Sequence, residues 1–203
     1  MKKILAFHND PKVQKKYIKR VEAHHKADNI CKGFYWEKGK GCAVGCTVEQ
    51  SNDAHQAMED EIGIPRSLAF LEDRIFEGLP NNKAKDFPVD FLKSIPLGAD
   101  LDLVVPKFLF WLFREEGFVY KNAFDDGKIV IKVISNLYKK IIEGKAVTTQ
   151  EWESAWSAAW SAAWSAAYSQ MSKKLIQIIR NTKPAKAYDP NRGENQIPYS
   201  CEK

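Results

Sequence analysis

The stretch Val104-Val105-Pro106-Lys107-Phe108-Leu109-Phe110-Trp111-Leu112-Phe113 is apolar at nearly every position, interrupted only by Pro106 and Lys107. At 1.5 Å of rise per residue it reaches about half of a bilayer's hydrocarbon core. It therefore reads as a helix buried on most sides, starting at Asp100 or Asp102 and running to Phe113. A helix of that kind needs neighbours with one apolar face each, and the chain supplies them on both sides.

Upstream, Asn9-Asp10-Pro11 offers a capping carboxylate and a proline at the first helical position. Val13, Tyr17, Val21 and then His24 or His25 follow at helical spacing. Four glycines between residues 29 and 50, with Phe34, Tyr35 and Trp36, mark an irregular loop or short hairpin. Asp53 heads a short helix ending near Gly63. Pro65 opens another, with Leu68, Leu71, Ile75 and Phe76 inward and Gly78 as its stop. Pro88 starts a short helix before the apolar one.

Downstream, Asp125-Asp126-Gly127 precedes a helix with Val130, Val133, Ile134, Leu137 and Ile141 on one face, closed by Gly144. Thr148 and Glu151 form a capping box for the last and longest helix, which runs to Arg180. No run alternates with period two. The expectation is an all-α, single-domain helical bundle over residues 1–180, with a Gly-rich loop near its N-terminal third and an extended polar tail over 181–203.

Within the last helix Trp152, Trp156, Trp160, Trp164 and Tyr168 recur every four residues among Ser and Ala. A step of four advances about 400°, so the aromatics drift about 40° per step along an i±4 ridge. Packing under neighbouring helices is the first reading of this ladder. A stacking wall for a flat ligand and a self-association ridge are the others. Ser154 to Ser172 is uncharged but holds six Ser and no Leu, Ile or Val, so it is a poor membrane span.

The 31 Lys/Arg and 26 Asp/Glu give a net charge of +5. It is distributed as +6 over residues 1–50, −6 over 51–120 and +5 over 121–203. Pairing between these segments explains the layout with the fewest assumptions. Lys12, Lys15, Lys16, Lys19 and Arg20 form a basic helix face, but no nucleic-acid motif accompanies them, which counts against nucleic acid as a partner. Four cysteines in 203 residues are too few for a secreted disulfide scaffold. Ile4-Leu5-Ala6-Phe7 is too short for the core of a signal peptide. The expectation is a cytoplasmic protein with no membrane association.

Cys42 and Cys46 are four apart, each preceded by glycine, and His55 with Glu59 forms another i,i+4 pair. His25 and Asp28 fall at the end of the first helix. Three readings stay open. Both cysteines can be small buried hydrophobes at a tight helix–loop contact. Either can be a nucleophile with His55 or His25 as base and Asp28 as its orienting acid. Cys42, Cys46 and His55 can hold zinc with His25 or Cys31, although the spacing departs from Cys-x2-Cys knuckles. Glu72, Asp73, Arg74 and Glu77 suit ion pairs between helices better than a metal or phosphate site.

Gly33-Phe34-Tyr35-Trp36 followed by Lys40-Gly41-Cys42-Ala43-Val44-Gly45-Cys46-Thr47 resembles a family of uncharacterised proteins from bacteria, phages and prophages. The similarity continues through His55, Glu59, Gly63-Ile64-Pro65 and residues 71–80, covering about residues 20–115. The Trp/Ala-rich final helix is similar to helices in candidate bacterial immunity proteins. The resemblance implies a mobile-element or conflict setting and no particular chemistry. The sequence thus leads to a non-enzymatic binding or inhibitory protein that sequesters a protein or a small nucleotide-like ligand, with no cofactor and no metal. Trp36, Lys40, Glu59 and Arg74 are its candidate ligand contacts. The alternative is a small thiol-dependent enzyme, or a zinc-stabilised version of one.

Overall fold

The computed structural model describes residues 3–123, 125–156 and 164–182, and these are mostly helical. The chain packs as two compact units. The first comprises residues up to Val104 and the helix from Tyr168 onward. The second is Val105–Ala167.

In the first unit, a left-handed turn over Ala6–Asn9 leads into α1, Pro11–Lys26. Asp10 caps α1 by accepting the Lys12 amide at 2.7 Å, and Tyr17 and Val21 are buried as the spacing predicts. The Gly-rich region is a hairpin, with β1 (Trp36–Glu37) antiparallel to β2 (Lys40–Gly41) in the register Trp36 to Gly41. It leads directly into α2, Ala43–Val48, every residue of which is buried.

Next come α3 (Ala54–Ile62), ended by Gly63 at φ +65°, and α4 (Arg66–Gly78). On α4, Leu68, Leu71, Ile75 and Phe76 are buried, as their spacing requires. One turn, α5 (Asn81–Ala84), precedes α6 (Phe87–Ser94). Ala6 pairs with the backbone of Gly98 and Ala99, which ties the segment before α1 to the turn before Val104. α3 packs against α2 and α4, while α1 lies against α6 and α2.

The apolar stretch is α7, Val104–Phe113, beginning slightly later than expected because Asp100 caps a turn at the Asp102 amide instead. Val105, Phe108, Leu109, Leu112 and Phe113 are buried. A single turn, α8 (Phe118–Lys121), leads to α9, Asp125–Ile142. Ile131, Ile134, Leu137, Tyr138 and Ile141 are buried on α9, but Val133 is 46% exposed, against the sequence assignment. α10, Thr149–Trp156, starts with the predicted capping box: Glu151 accepts from Thr148 N at 2.8 Å and donates its own amide to Thr148 Oγ1 at 3.3 Å. Trp152 packs on Tyr138 with ring centroids 4.7 Å apart. α11 is Trp164–Arg180, with Met171, Leu175 and Ile179 buried. Continuity of the final helix through 157–163, the rest of the ladder and the tail over 183–203 lie outside the described residues.

Two ion pairs of the first unit join residues 1–50 to 51–120, Lys3 to Asp100 at 2.5 Å and Lys93 to Glu22 at 2.6 Å, while Arg20 to Glu49 at 3.3 Å lies within the first stretch. No helix among the described residues is long and apolar enough to cross a membrane.

Candidate functional site

The Gly-Cys-Ala-Val-Gly-Cys motif is where the hairpin meets α2. A Cβ on Gly41 would lie 1.9 Å from the Tyr35 carbonyl oxygen, and one on Gly45 only 1.5 Å from the same atom. Any side chain at either position would occupy that oxygen's place. The Cys42 amide donates to both Phe34 O (3.0 Å) and Tyr35 O (3.1 Å), which locks the turn onto the helix start. The close approach the two glycines permit is therefore made by the chain's own backbone.

Cys42 is the N-cap of α2, its sulfur accepting the Gly45 amide at 3.5 Å, and it is almost wholly buried. Burial pushes its thiol far up, and the Asp73 carboxylate beside it pushes further. The Cys46 thiol donates to Gly41 O at 3.3 Å and is raised to about 12, by burial first and by Cys31 second. Both are protonated thiols near neutral pH, the opposite of an activated nucleophile.

His55, from the first turn of α3, is 4% exposed. Its ring stacks on Phe70 at 3.8 Å and meets the edge of Tyr35 at 5.3 Å. Its Nε2 lies 3.5 Å from Asp73 Oδ2, too long for a good hydrogen bond, and the buried Nε2 has no hydrogen-bond partner. Next to Asp73, Glu72 is completely buried with neither carboxyl oxygen bonded. Burial, helped by the Asp73 charge, holds Glu72 well above the carboxylate range, so it is a neutral acid.

Of the sequence candidates, the fold thus gathers Cys42 and His55 around Asp73. It places the others elsewhere. His25 bonds Asp86 at 2.7 Å on the surface, and Asp28 pairs with Lys85. Among the described residues no group of three or more His, Cys, Asp or Glu is arranged to hold a metal ion. Trp36 is half-buried, edge-on to His24 at 5.1 Å. Glu59 accepts the Arg66 amide at 2.8 Å and so caps α4. Lys40 and Arg74 are exposed on β2 and α4. Glu77 bonds the Gly33 amide at 3.1 Å and anchors the hairpin's base.

Spacing did not single out Asp73 as the acid nearest His55, because the two meet only through the packing of α3 on α4. It also passed over Phe34 and Tyr35, which are 42% and 40% exposed. Two aromatics in a Gly-bounded turn with no period to bury them were the available signal. The second unit has a groove of about 560 Å³ lined by Val133, Leu137, Lys140 and Glu151 among others, and it includes none of the sequence candidates.

No protein-family model matches this chain, and neither a curated protein nor a solved structure matches it.

Proposed function

We propose that the chain is a non-enzymatic binding protein of the inhibitory, mobile-element type, and that it holds its ligand on the hairpin around Phe34, Tyr35, Trp36 and Lys40. The supporting observation is the exposure of Phe34 and Tyr35 on a hairpin that also carries exposed Lys38 and Lys40, in a fold that buries most of its large apolar side chains. Exposed rings and ammonium groups on one short hairpin suit a flat anion, which favours a nucleotide-like ligand over a protein surface. Burial holds the Cys42 and Cys46 thiols protonated, which weighs against the thiol-dependent alternative at those two positions.

Calorimetric titration with nucleoside mono-, di- and triphosphates tests the reading. Phe34→Ala with Tyr35→Ala should weaken binding at least about tenfold, since each stacked base is worth on the order of 1–3 kcal/mol. Cys42→Ala with Cys46→Ala, once shown to be folded, should bind within about twofold of the parent, a difference of under 0.5 kcal/mol. Equal affinity in the aromatic double variant overturns the assignment. Iodoacetamide labelling of Cys42 with a midpoint well below about 8.5 would restore the thiol enzyme.

A further inference from the structure

The two cysteines closest in sequence, Cys42 and Cys46, are not the pair the fold brings together. Cys42 Sγ faces the Gly45 amide and Asp73. Cys46 Sγ faces the other way, donating to Gly41 O at 3.3 Å and approaching Asn29 O at 3.7 Å. The same Gly41 oxygen accepts the Cys31 amide at 2.8 Å, and the Ile30–Gly41 bridge holds that strand segment in place. Cys31 and Cys46 therefore converge on one peptide oxygen. The Cys31 amide and the Cys46 thiol thus sit on the same oxygen, at 2.8 and 3.3 Å, and Cys31 raises the Cys46 thiol after burial does. Both are free thiols; Cys31 is partly exposed and Cys46 is fully buried.

We propose that Cys31 and Cys46 form an oxidisable dithiol, converted by a small disulfide of the glutathione class into a Cys31–Cys46 disulfide that closes the loop carrying Phe34, Tyr35 and Trp36. Cys31, which solvent reaches, attacks one sulfur of the oxidant as thiolate and releases one small thiol, leaving a mixed disulfide. Cys46 then attacks the Cys31 sulfur and expels the second small thiol, which carries away the Cys46 proton. Two protein thiols are oxidised and one small disulfide is reduced to two thiols. Cys46 needs no access of its own, because its partner is delivered beside it. The inference does not depend on what the hairpin binds.

The test is incubation of the folded protein, in a Cys201→Ser background, with oxidised glutathione, followed by non-reducing tryptic mass mapping. The peptide 27–32 should appear cross-linked to 41–66, with fragmentation placing the bond on Cys46. Cys42→Ser should keep the link. Cys46→Ser, or Cys46→Ala if the first folds poorly, should stop with one glutathione on Cys31. Cys31→Ser should give neither product. The rate should rise about tenfold per pH unit between about pH 7 and 9, as expected for thiols ionising above that range. A link that survives in the Cys46 variants, a bond mapped to Cys42, persistent glutathione on Cys31 in the parent, or no reaction at all would each overturn the proposal.

Discussion

Glu72 illustrates how a single side chain can set a pH dependence. It is fully buried, its oxygens are unbonded, and it stays protonated in the folded protein while it ionises near its ordinary value once unfolded. The native state then binds one proton more than the unfolded state at any pH between those two values. Stability must fall as pH rises through that window, by about 1.4 kcal/mol per unit for one proton. Urea unfolding of the parent at about pH 5, 6 and 7 should show this slope, and Glu72→Gln should flatten it. An unchanged slope in Glu72→Gln would overturn the assignment of that proton to Glu72. The sequence displays Glu72 as one charge among four in an amphipathic helix. Only the position of α4 between α2, α3 and α6 shows that this charge faces inward.

At the scale of elements, local chemistry made the helix starts legible. Asp10 with Pro11, Thr148 with Glu151, and Gly63 as a stop all act where the spacing put them. The single turns α5 and α8 escaped because four residues are too few to show a period. Val133 was misplaced because the run 129–134 is apolar almost throughout and offers two overlapping stripes. Packing against Trp152 and Phe113 selects the stripe that includes Ile131 and Tyr138.

Two glycines yield sharp tests at this scale. Gly45→Ala should destabilise by about 2–4 kcal/mol despite the better helix propensity of alanine, since its Cβ falls 1.5 Å from a backbone oxygen. Gly63→Ala should cost about 1–3 kcal/mol, from its left-handed φ and from a Cβ 2.1 Å from Leu5 O. Gly39→Ala has a positive φ but open space around it, so it should cost less than either. Urea midpoints rank all three.

Over the whole molecule, the helical class was readable from periodicity and the division into two units was not. No linker of low complexity separates Val104 from Val105; the boundary falls inside the apolar helix that first suggested a single core. The return of the chain to the first unit at Tyr168 is likewise invisible in composition. It does have a measurable consequence. Leu175, fully buried on α11, belongs to the first unit although about seventy residues of sequence separate it from the rest of that unit. Leu175→Ala should cost about 2–5 kcal/mol, and hydrogen exchange should show the loss in amides of the first unit. Exchange that accelerates only in α9 and α10 would place α11 with the second unit instead.

The same return matters during synthesis. A ribosome adds residues at about 5–20 per second, so roughly 3–13 s pass between Val104 and Tyr168. Throughout that interval the nascent first unit has all its early helices but lacks the strip of Met171, Leu175 and Ile179 that completes it. A message cut short before codon 168 would yield a product that keeps this gap permanently, and quality-control proteases should clear it faster than a product that merely lacks the residues after Thr182.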